Sequence, residues 1–238
     1  MLQDIVGSAG GVAVTGGICR FGSRTEEIMC GIVGYNGARP VTDFLLDALE
    51  LLEYRGYDSA GLAPINAETG RTKLRKCAGR VADLRKVCEN DKKQATCGIG
   101  HTRWATHGGV SDENAHPHRQ GNVLLVHNGI VENYEELRDH FMLSKDLKSE
   151  TDTEVVAGVL NRYYDGDPHK AIAQTVKHLK GTFALVIIFD DIPDVIYAIR
   201  NVSPIVAART EDGTMLASDV AALGSHATEY MVVPEYQI

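Results

Sequence analysis

Two hydrophobic periods alternate along the chain from residue 30 onward. Apolar residues that recur every three or four positions predict helices at residues 41–52, 81–88, 133–141, 152–163, 169–179 and 220–223. Shorter apolar and β-branched runs predict strands at residues 30–35, 62–63, 73–78, 98–104, 123–127, 182–189, 195–200, 205–208, 215–217 and 230–233. No linker or internal repeat interrupts this alternation. We therefore expect residues 30–238 to form one domain of mixed α and β elements.

Turn and cap signals bound two of these elements. Asn128-Gly129 follows the apolar run at 123–127 and predicts that this strand stops there. Thr151 or Asp152 is a candidate N-cap of the long helix that follows. Both signals are local, so a structure can test them one by one.

The first residues of the chain have a different character. They carry scattered glycines and no sustained hydrophobic period. Asp4 and the lack of a basic residue near the start are untypical of a secretory signal. A removable propeptide, a disordered tail and an upstream extension from a misassigned start codon all fit this leader, residues 1–29. We favour the misassigned start, because Met29 stands directly before Cys30.

Composition narrows the class of protein. Hydrophobic residues make up 44% and charged residues 24% of the chain, as in globular proteins. A net charge of −8 argues against nucleic acid as a partner, and the most apolar run, 184–189, is too short to span a membrane. The cysteines are odd in number and lack a CxxC pair, so we expect a reducing, cytoplasmic compartment. They are Cys19, Cys30, Cys77, Cys88 and Cys97.

Cys30 is the first candidate catalytic residue. Removal of the preceding methionine would leave it with a thiol nucleophile and a free α-amino group that acts as its base. The reference pKa of such an amine is about 8, so a useful fraction is neutral near neutral pH. The alternative is a buried core cysteine, since free cysteine is among the most buried residue types.

A second group of candidates follows the strand at 98–104. Arg103 has the donor geometry to bind a carboxylate through two hydrogen bonds. Thr106 and His107 would add polar contacts, and Trp104 would cover the site and exclude water. The alternative is a structural arginine beside a packed tryptophan.

Two further positions suit the chemistry of amide hydrolysis. The Asn128 side-chain amide and the Gly129 N–H would stabilise an oxyanion, whereas a hairpin-type turn is the commoner meaning of Asn-Gly. Asp152 would bind an ammonium group, and it also suits a helix N-cap. His107, His116 and His118 lack the spacing of a zinc site, so we predict no metal.

The motifs in this order resemble the glutaminase domain of class II glutamine amidotransferases, which are N-terminal-nucleophile hydrolases. The resemblance covers residues 29–238 and rests on residues 29–35, 52–61, 100–108, 114–118, 126–133 and 149–155. The stretches 54–61 and 101–108 are of the aminosugar-forming type, that of the glutamine–fructose-6-phosphate aminotransferases. The resemblance implies an α+β fold, a four-layer αββα sandwich of two antiparallel sheets.

The resemblance also implies a reaction without a cofactor. Cys30 would attack the side-chain amide of L-glutamine, and its α-amino group would relay the proton to the departing ammonia. Asn128 and Gly129 would form the oxyanion hole. Arg103 would bind the α-carboxylate of the substrate, and Asp152 would bind its α-ammonium group.

Five more positions receive supporting roles from the resemblance. Thr106 and His107 would assist the binding of the carboxylate, and Trp104 would act as a lid. Arg55 and His116 lie in family motifs near the nucleophile and would support the site. The resemblance allows a homo-oligomer.

Two departures from the family bear on activity. Family members begin at the cysteine, whereas the leader puts the Cys30 nitrogen into a peptide bond and adds bulk at the glutamine site. We also expect the chain to lack the sugar-phosphate isomerase domains that follow in the family. The alternatives to an active glutaminase are therefore a catalytically silent glutamine-binding remnant, or the glutaminase half of another class II amidotransferase.

Overall fold

Two antiparallel sheets face each other in the computed structural model, which describes residues 30–66, 69–91 and 94–238. Within these ranges the strands are β1 Gly31–Gly37, β2 Ser59–Asn66, β3 Arg71–Thr72, β4 Arg75–Ala78, β5 Cys97–Arg103, β6 His118–Gln120, β7 Val123–Val131, β8 Gly181–Phe189, β9 Ile192–Asn201, β10 Val206–Thr210, β11 Gly213–Ala217 and β12 Ala227–Val232. The larger sheet has the order β12-β10-β11-β1-β5-β2-β3, with β4 also paired to β2. The smaller sheet has the order β6-β7-β8-β9.

Helices cover the outer face of each sheet. Over the same ranges they are α1 Val41–Glu50, α2 Val81–Cys88, α3 Tyr134–His140, α4 Asp152–Tyr163, α5 Pro168–Val176 and a 3₁₀ helix at Val220–Leu223. α1 and α2 share a buried apolar cluster with the larger sheet, and α3, α4 and α5 share another with the smaller sheet. A third cluster lies between the two sheets. This order of layers confirms the αββα sandwich.

β8 is apolar from 184 to 189 because both of its faces are buried. Its odd-numbered residues from 183 to 189 belong to the cluster beneath α4 and α5, and its even-numbered residues from 184 to 188 lie between the sheets. In β1, Ile32 likewise faces the other sheet and Val33 faces α1. A slip of one residue would exchange these faces, so burial fixes the register of the strands.

The predicted stop at Asn128-Gly129 is wrong, because β7 continues to Val131. Asn128 pairs with Ala184 of β8, and the antiparallel ladder runs on through Gly129. Gly129 has a φ of +123°, and a Cβ atom there would lie 2.2 Å from the Thr182 carbonyl oxygen. The glycine therefore serves a close approach of two strands and not a turn.

Other predicted elements differ from the structure mainly at their ends. The helix at 81–88 has the predicted bounds, β2 begins three residues before its prediction at Ser59, and β6 was not predicted. Thr151 is the N-cap of α4, since its hydroxyl accepts from the Glu154 N–H at 3.2 Å. Asp152 is therefore the first residue of the helix, and its carboxylate is available for another partner.

The expectations for the leader fall on residues 1–29, which lie outside the described residues. Within the part of the chain that the structure describes, no helix is long and apolar enough to cross a membrane.

Candidate active site

The Cys30 thiol lies against the backbone of Trp104. Gly31 of β1 pairs with Thr102 of β5, which sets the residue before β1 beside the residues after β5. The Trp104 N–H donates to Cys30 Sγ at 3.1 Å, and the thiol donates to the Trp104 carbonyl at 3.6 Å. Burial raises the pKa of the Cys30 thiol, while the Trp104 N–H and the charge of Arg103 act in the opposite direction. The thiol therefore needs a base near neutral pH.

The Arg103 side chain organises the loop that follows β5. Arg103 is buried, and its guanidinium donates to the carbonyls of His107, Gly108 at 3.4 Å and Gly109 at 3.1 Å. No carboxylate among the described residues forms an ion pair with it. A buried guanidinium that forms no ion pair with the described residues is suited to bind the carboxylate of a ligand.

The segment before β2 supports the backbone of this loop. Gly56 lies so close to Arg103 that a Cβ atom would come within 2.8 Å of the Arg103 carbonyl carbon. The Asp58 N–H donates to the Arg103 carbonyl at 3.0 Å, and Asp58 Oδ2 accepts from the Ala105 N–H at 3.0 Å. The Trp104 ring meets Tyr57 edge-on, with ring centroids 5.5 Å apart. These contacts fix the position of the peptide that holds the thiol.

The smaller sheet brings two polar groups to the same place. Asn128 of β7 is 1% exposed, and its Nδ2 donates to the Cys30 carbonyl at 2.7 Å. Asp152 is 5% exposed at the start of α4, and its Oδ2 accepts from the Val131 N–H at 2.9 Å. The site is thus assembled across the interface between the two sheets.

A cavity of about 20 Å³ joins most of the predicted residues. Its volume suits about one water molecule. The lining residues are Cys30, Arg103, Trp104, Thr106, His107, His116, His127, Thr151, Asp152 and Thr153. The other predicted residues lie outside this lining. Asn128 contacts the Cys30 main chain, Gly129 follows it in β7, and Arg55 forms an ion pair with Asp219.

Three residues that line the cavity, His127, Thr151 and Thr153, were not predicted as site residues from the sequence. His127 Nδ1 bonds to Thr153 Oγ1 at 3.1 Å, and Thr151 Oγ1 bonds to His118 Nε2 at 3.1 Å. Each of the three is adjacent in sequence to a predicted site residue, but no motif or spacing in the sequence identifies it as part of a site. Their burial, which a sequence does not display, is what makes them part of the site.

Four histidines lie buried beside the cavity. They are His101, His116, His118 and His127, each at most 5% exposed. Burial lowers the pKa of all four, and that of His101 falls to about 3. The rings of His101 and His116 stack at 4.1 Å. Within the described ranges no group of three or more His, Cys, Asp or Glu residues is placed to hold a metal ion.

Known sequences match most of the chain. Residues 101–225, more than half of the chain, match the family model for a glutamine amidotransferase domain. The glutamine–fructose-6-phosphate aminotransferase [isomerizing] of Clostridium acetobutylicum is 42% identical over 211 residues, covering 87% of this chain and 34% of that protein. The protein of the same name from Symbiobacterium thermophilum is 46% identical over 210 residues, with the same coverage. This chain thus spans about a third of the length of these relatives.

Solved structures match the fold at lower sequence identity. The glutamine phosphoribosylpyrophosphate amidotransferase of B. subtilis, complexed with ADP and GMP, superimposes with a TM-score of 0.72 at 23% identity. A structure described as the allosteric regulatory enzyme of purine biosynthesis gives 0.73 at 24% identity. Each match covers 87% of this chain and less than half of the other. With the sequence match at 101–225, these findings show that the chain belongs to the family of glutamine amidotransferase domains.

Proposed function

We propose that residues 30–238 form a glutaminase domain that hydrolyses L-glutamine to L-glutamate and ammonia, with Cys30 as the nucleophile. The observation that carries the proposal is the meeting of three groups around one cavity: the Cys30 thiol, the Arg103 guanidinium and the Asp152 carboxylate. Glutamine carries three groups that these side chains suit. The thiol suits the side-chain amide, the guanidinium suits the α-carboxylate, and the carboxylate suits the α-ammonium group. The family match and the names of the relatives support the same substrate.

Recognition of the two ends of glutamine requires opposite charges. Arg103 binds the α-carboxylate through two N–H donors, since its guanidinium has no carboxylate partner among the described residues. Thr106 and His107, in the same loop, add contacts to the carboxylate. Asp152 binds the α-ammonium group while its Oδ2 stays bonded to the Val131 N–H.

The covalent step joins Cys30 Sγ to the amide carbon of the substrate. The free α-amino group of Cys30 takes the thiol proton and passes it to the leaving nitrogen, which departs as ammonia. The resulting thioester is cleaved by water, which releases glutamate and restores the thiol. Asn128 Nδ2 and the Gly129 N–H donate to the oxyanion formed in both halves of the reaction.

Two supporting residues act on the shape of the site. His116 stacks on His101 and accepts from the His127 N–H through Nδ1 at 3.3 Å. Arg55 anchors the segment before β2 through its ion pair with Asp219. Both side chains are therefore assigned structural support and not contact with glutamine.

The loop at 104–109 must move for glutamine to enter. The cavity of about 20 Å³ is smaller than a glutamine molecule. Trp104 lies at the start of the loop and Arg103 holds its end by bonds to Gly108 and Gly109. Outward movement of the loop opens the site, and its return covers the bound substrate and excludes water.

The ammonia is proposed to serve aminosugar synthesis. The relatives named as glutamine–fructose-6-phosphate aminotransferases support this use, and a sugar-phosphate isomerase domain is the implied partner. Cys30, Cys77, Cys88 and Cys97 are free thiols, which supports the expected reducing compartment of the cytoplasm. A homo-oligomer stays a prediction.

The test is ammonia release by a chain that begins at Cys30. All described helices and strands lie within Gly31–Val232, so this form retains the whole described fold. We expect equal amounts of glutamate and ammonia from L-glutamine, and no ammonia from D-glutamine, because Arg103 and Asp152 fix the α-carbon substituents. Cys30→Ala is the control. A folded protein with a verified free Cys30 amine and no glutaminase activity would contradict the proposal.

A further inference from the structure

The side-chain amide of Asn128 is held at both ends. Its Nδ2 donates to the Cys30 carbonyl at 2.7 Å, and its Oδ1 lies 3.1 Å from His101 Nε2. One Nδ2 hydrogen is used by Cys30, so the other is free to donate to a ligand. The value of Asn128 as an oxyanion donor depends on this orientation, because a flipped amide would present an oxygen to the oxyanion.

The hydrogen position on His101 follows from its second contact. His101 Nε2 lies 3.0 Å from the His127 carbonyl oxygen, which can only accept. Nε2 therefore carries the hydrogen and also donates to Asn128 Oδ1. In the flipped amide, Nδ2 would face the His101 N–H and Oδ1 would face the Cys30 carbonyl. Both contacts would be repulsive, so the two neighbours select one orientation.

The His101 ring has little freedom to move or to change its charge. It is 0% exposed and stacks on His116. Its strand, β5, lies between β1 and β2, with His101 paired to Ile32 and Gly61. Burial lowers the pKa of His101 to about 3, so the ring stays neutral where a glutaminase would work. Its Nδ1 has no hydrogen-bond partner in the described part of the chain, so Nε2 makes all of its hydrogen bonds.

We propose that His101 is a positioning residue for catalysis: its Nε2–H fixes the Asn128 amide so that the NH₂ group faces the oxyanion. This inference rests on the proposed function, since the oxyanion forms during attack by Cys30. His101 does not touch glutamine and acts through Asn128. Its loss therefore changes turnover much more than substrate binding.

Kinetics of four variants, each beginning at Cys30, test this role. His101→Met, which removes the donor, lowers kcat about tenfold and changes KM by less than about twofold. His101→Gln places an N–H donor near the position of Nε2 and restores most of kcat. Asn128→Ala lowers kcat about 100-fold. In the Asn128→Ala background His101→Met has no further effect, because the donor that it positions is gone.

His118→Met provides a matched control. His118 is also a buried histidine, but its Nε2 bonds to Thr151 and not to Asn128. Its replacement changes kcat by the same factor with or without Asn128. The same behaviour for His101→Met would overturn the proposal, since it would show a general structural loss. A parent protein that does not hydrolyse glutamine would contradict the proposed function and not the hydrogen bond.

Nitrogen NMR tests the hydrogen bond without any turnover. In the full chain and in the form that begins at Cys30, ¹⁵N spectra should show His101 with a protonated Nε2 and a bare Nδ1. In His101→Gln the Asn128 amide hydrogens should stay as protected from exchange as in the parent. These measurements apply even when His101→Met fails to fold. A protonated Nδ1 with a bare Nε2 would overturn the proposal.

Discussion

The Trp104 N–H and the Cys30 thiol are joined by a hydrogen bond of 3.1 Å. This bond lowers the pKa of the thiol, in opposition to burial. Trp104 begins the loop that we propose opens for substrate entry. Burial is the larger of the two effects, so the pKa of the thiol stays raised in the covered site and the Trp104 N–H only partly offsets it. The covered thiol therefore depends on a base, the role proposed for the α-amino group of Cys30.

A glutamine analogue with an electrophilic side chain should modify Cys30 alone among the described cysteines. Burial raises the pKa of Cys77 and Cys88 to about 11 and that of Cys97 to about 12, so their thiols stay protonated and enclosed. Peptide mass spectrometry after labelling gives the site. Excess L-glutamine should slow the reaction. Modification of another cysteine, with activity lost in step, would refute the assignment.

Asp152→Asn should raise the KM for glutamine at least about tenfold with a smaller effect on kcat. The asparagine keeps an oxygen that accepts from the Val131 N–H, so α4 stays docked. What is lost is the charge opposite the α-ammonium group. Steady-state kinetics give KM and kcat. Asp146→Asn, at a half-exposed carboxylate paired with Arg162, is the control and should leave both constants unchanged.

Protein that retains residues 1–29 should be inactive toward glutamine. The Cys30 nitrogen is then an amide, which does not accept a proton near neutral pH. Protein that begins at Cys30 should be active, with kcat/KM rising with pH through the titration of the α-amine, near pH 8 by its reference pKa. Intact mass confirms each N-terminus, and ammonia release is compared. Equal activity of both forms would require another base for Cys30.

Acid should destabilise the fold through its buried histidines. Burial lowers the pKa of His101, His116, His118 and His127, so the folded state binds fewer protons than the unfolded state below about pH 6.5. Above that pH the histidines are neutral in both states, and the free energy of unfolding is at its full value with respect to them. It then falls by about 1.4 kcal/mol per pH unit for each histidine that stays neutral.

Urea unfolding between pH 7.5 and pH 5 measures this slope. If all four histidines stay neutral in the folded state, together they give a slope of up to about 5.5 kcal/mol per pH unit below pH 6.5. His118→Met should reduce this slope by the contribution of one histidine. His140→Gln, at an exposed position, should leave the slope unchanged. An unfolding free energy that does not change over this range would show that these rings take up protons in the folded state.

The sequence predicted the structure best where a residue acts only on its own helix or strand. The apolar stripe of α1 and the apolar run of β1 both report burial directly, so these elements could be predicted, whereas the four layers were implied only by the family resemblance. Asn128-Gly129 was misread because a glycine needed for a close approach to Thr182 looks the same as a turn glycine. His101 lies in the stretch 101–108 that carries the resemblance, but it received no role, because that role depends on Asn128, which is distant in sequence and adjacent only across two sheets.

The placement of β1 between β5 and β11 has a consequence for synthesis of the chain. The Ile32 N–H donates to Ser218 Oγ at 2.9 Å, and the Ser218 N–H donates to the Ile32 carbonyl at 3.0 Å. At about 5–20 residues per second, a ribosome needs roughly 10 to 40 seconds to proceed from one partner to the other. During that time the strand beside the nucleophile lacks one neighbour. A nascent chain therefore completes the sheet around β1 only when nearly the whole domain has been synthesised.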